Sequence, residues 1–219
     1  MKYPFRISWG TEILPVLIVA GAVVLGIYFY AHFPDKVAGH WNFAGVVDRY
    51  TGRAEGAFGM PILLVIMYLL FLVLPVIDPK KERYEEFERY YRVFETAILS
   101  ALLVIYLAMG LFNLGYPVNI GNVVSGCVGL LFIILGNFMG KIKNNWFVGI
   151  KTPWTLSSEN VWNKTHRMGG RLFIIYGLVI MATPYLSFHA AGAIFIAGAG
   201  LTVLGTMGYS YWLFKQEQK

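Results

Sequence analysis

His32, His40 and Asp48 lie close together between the first two long apolar runs of the chain. Neutral imidazole and carboxylate suit zinc-like ions, which makes these three the candidate metal ligands. Their spacing matches no standard metal signature, however, and such residues serve equally as hydrogen-bond partners for a loop backbone. The surrounding stretch, HFPDKVAGHWNFAGVVDRYTGR, also places His40, Trp41, Asn42, Gly45 and Asp48 where they could meet a ligand. Asn42-Phe43-Ala44-Gly45 reads as a turn between two short β-prone runs, with Gly45 free to take positive φ.

The second concentration of specialised residues is GIKTPWTLSSENVW, followed by NKTHR. Pro153 disfavours helix at Thr152 and imposes an extended approach. Ser157 or Ser158 can cap a helix that starts near Glu159, an acid well placed at a helix amino terminus. On that helix Trp162, His166 and Phe173 share one face, while Lys164, Arg167 and Arg171 share another. One acid and one histidine, with no paired carboxylates and no HExxH helix, make a poor catalytic centre. The outer His/Asp set is therefore the sole candidate for metal-assisted chemistry, and no cofactor is implied.

The elements that carry these residues are set by hydropathy. With 57% hydrophobic and 14% charged residues, the chain is far more apolar than a soluble domain of 219 residues. Six segments approach the roughly 20 apolar residues a bilayer span requires: 13–31, 57–77, 97–114, 118–139, 172–188 and 190–214. None contains Asp, Glu, Lys or Arg, so none has the polar face of a soluble core helix. The expected fold is an all-α, multi-pass cell-membrane protein of six transmembrane helices. The first run lacks an A-x-A cleavage pattern and reads as a helix rather than a signal peptide. Cys127, alone within the fourth run, excludes a disulfide framework.

Charge fixes the sides. Of 18 Lys and Arg, 15 fall at the amino terminus (Lys2, Arg6), between runs two and three, between runs four and five, and in the tail. Only Lys36, Arg49 and Arg53 fall in the first loop. The positive-inside rule puts both termini in the cytoplasm and the 32–56 loop outside. The net charge of +6 thus belongs to membrane-flanking loops that face anionic headgroups, and direct nucleic-acid binding is not expected.

Three units follow: 1–77, two helices with the structured outer loop; 78–96, a cytoplasmic amphipathic helix; and 97–219, four helices with a cytoplasmic loop at 140–171. In the second unit Tyr84, Phe87, Tyr91 and Phe94 form one aromatic face, expected to lie at the membrane surface. Glu85–Arg89 and Glu88–Arg92 are spaced for i,i+4 pairing. Glycines mark runs four and six, where small residues allow close packing within the bundle or between two copies in a homodimer.

From Gly136 to Arg167, GNFM…NNWFVGIKTPWTLSSENVWNKTHR resembles the signature of the SdpI family of bacterial membrane immunity proteins. The matching positions are Gly136, Asn137, Asn144, Gly149, Lys151, Thr152, Pro153, Trp154, Thr155, Leu156, Val161, Trp162 and Arg167; His166, beside them on the helix, is a further candidate of the cytoplasmic motif. Lys151 departs from the Arg common there; it keeps the charge without the bidentate fork. The first loop resembles a domain of uncharacterised function found at the front of this family, with His40, Trp41, Asn42, Gly45 and Asp48 fitting its pattern. The resemblance implies protection from a secreted toxic peptide, a cytoplasmic transcriptional repressor as a second partner, and neither cofactor nor catalysis. A transporter or channel is the first alternative, set back by the absence of ionisable groups within the spans. A metal-dependent membrane enzyme using the outer loop is the second.

Overall fold

A computed structural model describes residues 3–5, 7–43 and 45–219, without the side chain of Phe188. Lys2 and Arg6, counted above for orientation, and the turn residue Ala44 lie outside the described residues. Six helices are long and apolar enough to cross a membrane: α1 (Trp9–His32), α2 (Arg53–Ile77), α3 (Glu88–Asn113), α4 (Ile120–Met139), α6 (Glu159–Ala182) and α7 (Phe188–Glu217). Helix α5 (Pro153–Ser157) is a single turn. Strands β1 (Lys36–Trp41) and β2 (Val47–Gly52) form an antiparallel hairpin between α1 and α2. Six crossings return the chain to the side on which it began, as the charge bias requires.

The helices outrun the apolar segments, and the extensions change the chemistry of the inner membrane edge. Glu12 on α1 and Arg92 and Glu95 on α3 are drawn into the bundle, where Glu12 and Glu95 are buried. Arg92 donates to Glu12 and to Glu88, and Tyr68 on α2 donates to Glu12 at 3.1 Å. Three helices are thus joined by charge-assisted hydrogen bonds. The expectation of spans free of ionisable groups holds for the apolar runs and fails for the helices that contain them.

The segment 78–96 also differs from expectation. Residues Lys81–Glu86 form a 3-10 turn, and α3 begins only at Glu88. Tyr84, Phe87, Tyr91 and Phe94 do share a face, but it is buried against Phe5, Phe71, Ile142 and Trp162 rather than laid on the membrane surface. Four large aromatic side chains have more to gain from a protein core than from a headgroup layer. Glu88–Arg92 pairs as spaced. Glu85 precedes the α-helix, where 3-10 geometry breaks the i,i+4 relation, and no ion pair joins it to Arg89 among the described residues.

Helices α1, α2 and α3 pack around Ala22, Phe29, Leu64, Leu99 and Tyr106. The most extensive helix contact is between α4 and α6. Its cause is glycine on both sides: a Cβ on Gly136 would stand 2.6 Å from the Gly170 carbonyl oxygen, and one on Gly129 would stand 2.6 Å from that of Gly177. Small residues in α4 therefore serve packing within the bundle, and their partners lie on α6 rather than on the glycine-marked sixth span. Replacing Gly170 by Ile should force α4 and α6 apart. Overpacking of this kind costs about 1–3 kcal/mol, read as a lowered unfolding midpoint in detergent or nanodiscs, whereas Gly200→Ile, in open space, should leave it unchanged.

Candidate functional site

The cytoplasmic stretch from Lys141 to Ser158 is mostly irregular, so its main-chain polar groups need partners that no helix or sheet supplies. Two asparagines and an aspartate provide them. Asn145 accepts from the Phe147 and Val148 amides at 2.9 and 2.7 Å and donates to the carbonyls of Lys143 and Val148. Asn144 donates to the Thr155 carbonyl at 3.0 Å and accepts from Lys80 Nζ at 2.6 Å. Asp78, at the end of α2, accepts from the Lys80 and Trp146 amides and from the Tyr84 hydroxyl. Burial first, and the Asp78 carboxylate second, push the Tyr84 phenol far above its usual range, so it stays a donor. Outside this buried lock, Arg83 forks onto Glu159 at 2.7 and 3.2 Å.

The Thr-Pro segment has a helix the sequence reading did not anticipate. Thr152 is extended, at φ −121° and ψ 161°, as the following Pro153 demands, but Pro153 is then the first residue of α5. Thr152 and Thr155 form a reciprocal capping box, and Thr152 Oγ1 donates to Ser210 on α7 at 3.1 Å. Ser158, of the two candidate serines, caps α6, its hydroxyl accepting from the Val161 amide. Trp162 and His166 do share a face, stacked 3.9 Å apart and buried. Trp162 donates its indole N–H to the Ile142 carbonyl, and His166 Nε2 accepts from the Ile150 amide at 2.9 Å. Because Nε2 accepts, Nδ1 carries the proton and donates to the Trp162 carbonyl at 2.8 Å, so the ring is neutral with both nitrogens engaged. Gly149 makes this approach feasible. Its φ is +119°, and a Cβ there would meet His166 Nε2 at 2.4 Å.

Of the cytoplasmic candidates, Asn144, Thr152, Thr155, Trp162 and His166 thus point inward and are used up in building the segment. Lys151, Pro153 and Arg167 are exposed, Lys151 donating to the Phe147 carbonyl, and Trp154 packs on Tyr211 of α7 with rings 5.0 Å apart. Asn137 stands apart on the exposed face of α4. The reading missed Asp78, Lys80 and Asn145. The Asp78-Pro79 turn and the Asn144-Asn145 doublet were their only sequence signals.

On the outer side, β1 and β2 match the two β-prone runs, and Gly45 takes φ +74°. The Asn42 carboxamide oxygen accepts from the Val46 amide, closing the turn. His40 Nδ1 and Asp48 Oδ1 pair at 2.5 Å across the strands, both exposed. His32 turns away, stacking on Tyr28 and bonding to its carbonyl. Among the described residues no three His, Cys, Asp or Glu side chains gather as a metal site, so His32 does not join His40 and Asp48. Trp41 packs edge-on against Phe112 of α3, and Phe43 lies 5.6 Å from Phe195 of α7. A residue the sequence did not flag anchors the hairpin. Asn113, the last residue of α3, accepts from the Ala38 amide at 2.7 Å and donates to the Ala38 carbonyl at 3.1 Å.

Residues 141–210 match the SdpI/YfhL protein family, and residues 17–65 match a domain of unknown function, DUF1648. Over 205 residues, 94% of this chain and 96% of the relative, the sequence is 26% identical to the protein named Immunity protein SdpI of Bacillus subtilis (strain 168). No solved structure matches.

Two substitutions test the site. Asp78→Leu leaves the Lys80 and Trp146 amides without their acceptor and the Tyr84 hydroxyl with only its longer contact to Asn145 Oδ1, at 3.4 Å. A cost of at least about 1–3 kcal/mol is expected, with faster amide hydrogen exchange at Trp146 and Val148. Asn113→Leu should release the hairpin and speed exchange at Ala38, while the cytoplasmic segment keeps its protection.

Proposed function

We propose that the chain is a membrane immunity protein of the SdpI/YfhL kind, protecting its host from a secreted antimicrobial peptide. The observation that carries this reading is a similarity to Immunity protein SdpI that runs almost end to end in both chains and so includes the outer hairpin as well as the cytoplasmic segment. In this reading the hairpin meets the toxin. It is held against α3 by Asn113 and against α7 by Phe43, and it offers exposed His40, Asp48 and Tyr50 outward. No catalytic step is part of the activity, and no cofactor is needed.

The cytoplasmic segment is the second contact, for a transcriptional repressor. Its buried residues give it a fixed shape, and the rim left outside, Trp146, Lys151 and Pro153, is the surface such a partner would meet. The exposed basic residues Arg167 and Arg171 on α6 face the anionic inner leaflet.

Expression in a sensitive bacterium, followed by challenge with a panel of secreted antimicrobial peptides, tests the reading. Survival should rise against at least one peptide and fall back in Asn113→Leu at equal membrane abundance. Unchanged sensitivity to every peptide counts against immunity. Loss of repressor co-purification in Trp146→Ala, with survival intact, would separate the second contact from the first.

A further inference from the structure

The hairpin has two edges, and they are treated differently. Ala38 of β1 gives both its amide and its carbonyl to the Asn113 carboxamide. Those groups therefore point away from β2, which makes Ala38 and its cross-strand partner Tyr50 a non-hydrogen-bonded pair. By the same geometry the amide and carbonyl of Tyr50 point away from β1, toward the outer edge of β2. Nothing among the described residues takes them up. The edge is open: Asp48, Arg49 and Tyr50 are all exposed, Tyr50 by 61%. Side-chain amides and coverings normally blunt a sheet edge, and here only β1 has one. Charges of both signs flank the hairpin, with Lys36, Arg49 and Arg53 set against Asp35, Asp48 and Glu55. His40 takes Asp48 and Asp35 takes Arg53, which leaves Lys36 and Arg49 as exposed cations with no ion pair among the described residues.

We infer that the free edge of β2 is a strand-addition site, taking an extended peptide segment as a third strand, with a carboxylate of that segment set beside Arg49. Main-chain hydrogen bonds to Tyr50 supply the register, and exposed Arg49, in no ion pair among the described residues, favours a segment that brings a carboxylate to that position over one that brings a cation. Asn113 has a double part in this. It closes the edge that would otherwise compete, and it holds the two-stranded hairpin, marginal by itself, in a fixed form. The inference rests on the outer hairpin being the peptide-facing element proposed above, but its test is separate.

The test uses full-length protein in nanodiscs and a short fluorescent peptide of alternating Val and Thr with one central Glu. Anisotropy should show saturable binding, weakened about tenfold or more when alternate peptide amides are N-methylated, since strand addition then loses its donors. Exchanging the central Glu for Lys should weaken it likewise. In the protein, Tyr50→Pro removes the outward amide without touching the ladder and should weaken binding, while Tyr50→Thr should keep it. Absence of saturable binding, equal binding of the N-methylated peptide, or full binding to a folded Tyr50→Pro protein would each overturn the site. Should Tyr50→Pro fail to fold, the N-methylated peptide still decides. Resistance in the toxin challenge without binding here removes the strand-addition site alone, and binding here without resistance removes the immunity reading alone.

Discussion

Irregular backbone at a membrane face must find hydrogen-bond partners within the protein, and the stretch between Lys141 and Ser158 is organised around that demand. Asp78, Asn144 and Asn145 supply a main-chain-like set of donors and acceptors, and Thr152 and Thr155 cap a turn that has no helix before it. Further partners come from outside the loop: Asp78 at the end of α2, Lys80 in the turn before α3, His166 on α6 and Ser210 on α7. Satisfying one loop therefore fixes four elements relative to one another. The aromatic cluster of Tyr84, Phe87, Tyr91 and Trp162 fills the space beneath, so the polar lock and the apolar core stabilise the same arrangement.

The opposite end of the bundle solves the same problem with one residue. A carboxamide has the same donor and acceptor as a peptide group, and Asn113 presents both to Ala38 as a neighbouring strand would. Helix α3 thus begins beside the cytoplasmic lock and ends in the outer hairpin, and its inner half carries the Arg92 tie to α1. A single rigid element touches both faces of the membrane. Close glycine contacts give α4 and α6 a comparable rigidity on the other side of the bundle.

Several residues marked in the sequence for their chemistry turn out to act through structure. His166 resembled a candidate acid or base, yet both nitrogens are engaged with backbone groups and Gly149 leaves no room for anything else beside it. Thr152 and Thr155 are occupied by each other, by Ser210 and by the Ile150 carbonyl. The cytoplasmic motif therefore serves chiefly to fold a loop, and only its rim stays exposed. On the outer face the reverse holds: His40, Asp48 and Arg49 stay exposed on a hairpin whose position is fixed by residues elsewhere.

The sequence by itself determined the six spans, their orientation, the outer turn at Asn42–Gly45 and the capped start of α6. These depend on local hydropathy, on charge beside the spans and on backbone preferences of Gly, Pro and Ser, all of which act over a few residues. Tertiary structure decided what pairs with what. The aromatic face of 84–94 was legible, but whether it met lipid or protein depended on Trp162 and Ile142, more than forty residues away. Glu12 and Arg92 were visible as charges flanking apolar runs, and only helix packing showed that they meet. Asn113 at the end of an apolar run, and Asp78 and Asn145 in the loops, are unremarkable in sequence, because a hydrogen-bond acceptor has no signature until its donor is placed beside it.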